Sequence, residues 1–299
     1  VIVNVLCPRC RCSFQVNLPD PNRIYRTYCP KCRYEFDAGP PSYPTQPATP
    51  PSAYPDETSA KRQIMNAVYM RTRTDEIMSF GWLLLPVIGY AVYFVFLIAT
   101  LLSDMGFFVL GVMCFSIVGV MIVMSIIYVI LYYKFIKRRN EHFKRDMMLN
   151  EGVIQFIHHR SYKMGRVYEV SADLGALQSI HAFARSEENE KEAILWAILS
   201  VIVPFIGLYV MYFLTKDPCI HDSRQNSFIR YASSALHKLG IAVQPSWKTI
   251  PQRSAILYVI LSVFIPFFII YWFYVVIKDL NNHFRTQWVF ENSLVNALR

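Results

Sequence analysis

Four apolar runs, at 80–102, 107–133, 194–214 and 255–277, contain no Asp, Glu, Lys, Arg or His. Each is near or above the length that crosses a hydrocarbon core of about 30 Å. A chain carrying 54% apolar and only 17% charged residues is too oily for an ordinary soluble domain, so the runs imply an all-α integral membrane protein. The formal charge of +9 must then crowd into the segments between them. This pattern excludes a collagen, an acidic disordered chain and a secreted disulfide miniprotein.

The strongest local signal lies at the amino-terminal end. Cys7, Cys10, Cys29 and Cys32 form two Cys-Pro-x-Cys turns with 18 residues between them, which is zinc-site spacing rather than a disulfide framework. Each turn aims two thiolates at one point, and a structural Zn²⁺ joining them replaces the core that so few residues cannot build. Phe14 follows Cys10, and Phe36 follows Cys32, at the same offset. Cys10-x-Cys12 makes a poorer chelate, and Cys114 and Cys219 have no ligand nearby in sequence, so they read as buried or idle thiols. The stretch from Val3 to Ala38 resembles the small zinc ribbons that open many prokaryotic membrane and regulatory proteins, although Arg11 and Arg33 stand where members often carry Gly. Thiolate ligation needs a reducing compartment, which places the ribbon in the cytosol. Its basic and tyrosine-rich surface can meet nucleic acid, but an ordinary solvated face is the better reading.

The expected organisation is a β zinc ribbon at 1–38, a proline-rich linker at 39–57, an amphipathic lead-in helix at 58–79 along anionic lipid, and a transmembrane hairpin at 80–134. A cytoplasmic helical loop follows at 135–193. Two membrane repeat units, at 194–236 and 254–299, flank a connector at 237–253. The repeat appears on shifting by 62 residues: Lys216, Asp217, His221 and Gln225 fall on Lys278, Asp279, His283 and Gln287, and Pro204-Phe205 falls on Pro266-Phe267. A weaker echo aligns Lys137, Asn140, His142 and Phe143 with Lys278, Asn281, His283 and Phe284. The exit Lys278-Asp279-Leu280-Asn281 is loosely similar to those of uncharacterised multi-pass families, a likeness that carries no known activity.

Length favours four crossings. Yet the loop 215–253 holds six Lys/Arg against two acids, contrary to the positive-inside tendency if it faces outward. Breaks at Pro204 and Pro266 would instead make the last two runs re-entrant, with every basic loop cytoplasmic. Both topologies put the ribbon and the carboxyl terminus in the cytosol of a multi-pass protein of the cell membrane.

No phosphate loop, nucleophile elbow or complete catalytic set occurs, and the spans lack the ionisable relay of a coupled transporter. The repeated Lys-Asp-x-x-x-His-x-x-x-Gln faces, Lys216, Asp217, His221, Gln225 and their counterparts, read as a polar, headgroup-facing surface without a third strong ligand. Asp217 before Pro218 reads as a helix cap. The chain is therefore expected to be a non-catalytic membrane-anchored adaptor that recruits a cytosolic protein through its ribbon. The alternatives are an accessory or assembly subunit of a membrane complex, a passive transporter or channel, or a membrane-surface enzyme using the Asp–His faces.

Overall fold

The computed structural model describes residues 2–6, 13–17, 25–38, 56–102, 107–203, 205–265 and 267–299. The chain divides into two compact units, Val1–Tyr54 and Pro55–Arg299. In the first, β1 (Ile2–Leu6) pairs antiparallel with β2 (Ser13–Asn17), and β3 (Tyr25–Tyr28) with β4 (Glu35–Ala38). The closing pair Tyr28↔Glu35 leaves a short loop that holds Cys29 and Cys32. Most of the linker expected at 39–57 lies outside the described residues.

The second unit is helical: α1 (Glu57–Thr74), α2 (Leu84–Leu102), α3 (Phe107–Lys163), α4 (Val167–Glu187), α5 (Ala193–Ile202), α6 (Ile206–Lys238), α7 (Ala255–Phe264) and α8 (Phe268–Leu298). Two of these helices, α2 and α3, are long and apolar enough to cross a membrane. Proline is absent from 107–163, so the second apolar run continues unbroken into α3's polar half, which forms the first part of the helical stretch expected at 135–193.

The lead-in segment differs from expectation. Asp56 caps α1 by accepting from the Ser59 amide at 2.8 Å. Ala60, Ile64 and Ala67 then bury against Leu149, Val153 and Phe156 of α3 instead of lying on lipid. Gly152 permits this approach, because a Cβ there would stand 3.3 Å from the Ile64 backbone nitrogen.

Neither later apolar run forms one crossing helix. A continuous helix would separate Trp196 from Phe213 by about 25 Å, whereas their ring centroids lie 5.9 Å apart. Tyr258 and Trp272 meet likewise at 5.6 Å. The chain turns back after Ile202, with Phe205 in the left-handed region at φ 67°, and again after Phe264. The prolines implicated in the breaks, Pro204 and Pro266, lie outside the described residues, as does the turn 103–106. Ten-residue arms such as α5 and α7 reach only about 15 Å, half a hydrocarbon core.

These reversals make α3, α6 and α8 parallel. Each first enters one apolar core, through Leu131–Ile136, Val210–Leu214 and Trp272–Ile277 respectively. Each ends in or passes through a second core, containing Leu149 and Val153, Phe228 and Ala232, and Phe290 and Leu294. Between the two cores lies a layer of buried polar side chains.

Candidate metal centre

The polar layer is where the three parallel helices each place a histidine. His142 of α3, His221 of α6 and His283 of α8 are at most 2% exposed, and one ring nitrogen from each lies within 4.8 Å of the others. Five residues before each histidine comes a lysine over the tyrosine one turn earlier: Lys137 over Tyr133, Lys216 over Tyr212 and Lys278 over Tyr274, at 5.4–5.8 Å from the ring centroids. The convergence therefore follows from a unit used three times in matching register.

A separate carboxylate engages Nδ1 of every ring. His142 pairs with Asp75 Oδ1 at 3.0 Å, His221 with Glu188 Oε2 at 3.0 Å and His283 with Asp222 Oδ1 at 2.8 Å. Those carboxylates are themselves held. Arg145 grips Asp75 with two nitrogens, Nε at 3.1 Å and Nη2 at 2.8 Å, and the Trp288 indole donates at 2.9 Å. Arg224 donates to Glu188, and the Ile250 amide donates to Asp222 Oδ2 at 3.0 Å. Carboxylate–histidine pairs of this kind fix the tautomer with the proton on Nδ1 and leave Nε2 as a lone pair.

The Nε2 atoms face inward. Those of His142 and His283 stand 3.0 Å apart, and that of His221 has no hydrogen-bond partner. Asp146, one turn after His142, approaches His221 Nε2 to 3.8 Å with Oδ2. Rings enclose the cluster: Phe143 stacks on His221 at 4.2 Å, Phe284 lies 4.5 Å from His142, and Trp247 meets the edge of His283.

Burial drives His142 down to about 3, outweighing the Asp75 carboxylate beside it, and also lowers His283, so both are neutral at pH 7. Burial opposes charge on His221 as well, but Glu188 and Asp146 overcome it and raise that ring. Against their own burial, Asp75 is held well below the usual carboxylate range by His142 and Arg145, and Glu188 is held at about 2 by His221 and Arg224. Burial raises Asp146. Three inward ring nitrogens in a dry cage suit a first-row divalent ion, which would displace any proton from His221.

The sequence-derived residues fall into two sets. His221, Gln225, His283 and Gln287 are buried, facing one another across the layer, and do not form a headgroup-facing surface. Lys216 and Lys278 are exposed. Asp217 bonds Arg139 at 2.8 Å, and Asp279 bonds Arg253. Asp217 caps no new helix, because α6 runs straight through Pro218. The third ligand missing from the sequence reading is His142, which the weaker echo had already aligned with His283. Its carboxylate partner Asp75 lies 67 residues away in sequence and gave no signal.

Of the cysteines expected to hold zinc, Cys29 and Cys32 sit in the β3–β4 loop, whereas Cys7 and Cys10 lie outside the described residues. Arg33, just past the second knuckle, adopts φ 55°, the conformation for which glycine is usual. Cys29 accepts from the Arg33 amide at 2.8 Å and donates its own to the Tyr34 carbonyl at 2.9 Å. Cys219 is buried, and Cys114 is exposed on α3. No family model matches the chain, and neither a curated protein nor a solved structure matches it.

Proposed function

We propose that the chain is a membrane-anchored metalloprotein in which His142, His221 and His283 bind one divalent first-row transition ion through Nε2. The observation that carries this reading is the tripled arrangement: each Nδ1 is committed to its own carboxylate, the Nε2 atoms of His142 and His283 face each other, and one ring nitrogen from each of the three histidines lies within 4.8 Å of the others. The α2–α3 pair serves as the anchor, crossing twice, and the fold-back pairs α5–α6 and α7–α8 enter the same leaflet and return. The Tyr–Lys steps suit a membrane boundary, where the ammonium reaches for water and the ring stays at headgroup level. That boundary puts the metal about 7–8 Å below it on the cytoplasmic side.

Metal analysis of the full-length protein purified without chelator tests the reading. The expected result is loss of one ion per chain on His221→Ala or His283→Ala, independent of any ion lost on Cys29→Ser. Unchanged metal content in both histidine variants would reject it.

A second role, the recruitment of a cytosolic protein by a zinc-stabilised ribbon, is favoured by the division of the chain into two compact units. Pull-down with the full chain should recover a partner that Cys29→Ser releases. Recovery unaffected by that substitution would remove the ribbon from the function.

A further inference from the structure

We infer that Asp146 supplies the fourth donor, so that the centre is a closed N₃O clamp of the zinc(II) class without an exchangeable solvent position. This inference rests on the metal-centre reading and concerns what the metal does there.

The repeat itself singles out Asp146. One turn after each histidine stands a polar residue, Asp146 after His142, Gln225 after His221 and Gln287 after His283, so the equivalent position is a carboxylate once and an amide twice. Both glutamines donate to Asp146 Oδ1, Gln225 at 2.8 Å, and Asn150 donates to Oδ2 at 3.0 Å. Among the described residues its only ion-pair neighbour is His221. A fully buried carboxylate held by neutral amides, with no guanidinium or ammonium within 4.0 Å among the described residues, is the arrangement a metal ligand requires and a structural ion pair does not.

Charge points the same way. The layer buries five carboxylates, Asp75, Asp146, Glu188, Asp222 and Glu291, against three guanidiniums, Arg71, Arg145 and Arg224, that pair with them. A divalent cation is the missing counter-charge.

The geometry is nearly set. Donors around an ion with bonds of 2.0–2.1 Å stand roughly 3.3 Å apart in a tetrahedron. Asp146 Oδ2 is 3.8 Å from His221 Nε2 and remains outside the 4.8 Å group of nitrogens, so the carboxylate advances as the ion enters.

Enclosure argues against a reaction centre, which keeps a coordination position open. A cavity of about 240 Å³ reaches Phe143 and Glu188 and stops there, one layer short of His221. The ion would thus tie α3, α6 and α8 together at one depth.

The test uses full-length protein stripped of metal and reloaded with cobalt(II), reading the part of the visible spectrum that His142→Ala removes. A closed N₃O site gives the intense bands of four-coordinate cobalt, unmoved by millimolar azide. Asp146→Asn should bind cobalt about 10-fold or more weakly and become azide-responsive. Azide shifting the wild-type bands would overturn the closed site, even if Asp146→Asn failed to fold. Unchanged affinity and spectrum in Asp146→Asn would overturn the ligand assignment. If His142→Ala removes nothing, the metal-centre reading itself falls, a result separable from the other two.

Discussion

His142 Nε2 and His283 Nε2 face each other at 3.0 Å although both rings already commit Nδ1 to carboxylates. Two lone pairs at that distance repel, so something positive belongs between them. A shared proton would require an imidazolium, which burial opposes in both rings, and it would leave His221 Nε2 without a partner. A metal ion satisfies all three nitrogens at once.

Substituting the outer carboxylates tests how far they orient the rings. Glu188→Gln or Asp222→Asn keeps the ligand nitrogen but weakens the hold on Nδ1–H, and metal affinity should fall about 10–100-fold. Competition titration against a chelating dye measures this. Wild-type affinity in both variants would show that the carboxylates serve only packing.

Arg145 lies between Asp75 and Glu291, at 2.8 and 2.6 Å. Arg145→Met removes the nearest guanidinium from two buried carboxylates, and breaking such an arrangement costs roughly 3–5 kcal/mol. Denaturant unfolding in mild detergent should show a loss of that order, whereas Lys137→Met, at an exposed i,i+4 pair with Glu141, should cost less than about 1 kcal/mol.

Much of this layout was legible from sequence. The apolar runs, the 62-residue repeat and the breaks near Pro204 and Pro266 identified the helical units, and the six basic residues of 215–253 argued against four crossings. Length argued for four, because apolar content does not record direction. The contacts of Trp196 with Phe213 and of Tyr258 with Trp272 show the reversals. The site was half visible. Asp217, His221 and Gln225 shared a helix face, but whether that face meets lipid headgroups or another helix depends on the parallel packing of α3, α6 and α8. Asp75, Glu188 and Asp222 come from a loop, the end of α4 and α6, and no local pattern joins them.

If α2 and α3 are the anchor, the parallel packing of α3, α6 and α8 puts their polar halves on one side of the membrane. Single cysteines at Gln244 and Lys163 should react with an impermeant maleimide only from the cytoplasmic side, and one at Asp104 only from outside. Labelling of Gln244→Cys from the outside would restore four full crossings.

Cys219 reports on the clamp. It is 6% exposed, two residues from His221, and burial raises its thiol, so in the folded, metal-loaded protein it should resist thiol reagents at pH 8. Chelator should speed its labelling several-fold by loosening α6. An unchanged rate would mean that the helices hold together without an ion.

X-ray absorption at the metal edge, on full-length protein carrying Cys29→Ser and Cys32→Ser, tests the central claim most directly. The prediction is a retained ion with nitrogen and oxygen scatterers at about 2.0–2.1 Å and the outer-shell pattern of three imidazoles. Protein that keeps no metal, or one whose first shell is sulfur at about 2.3 Å, would contradict it.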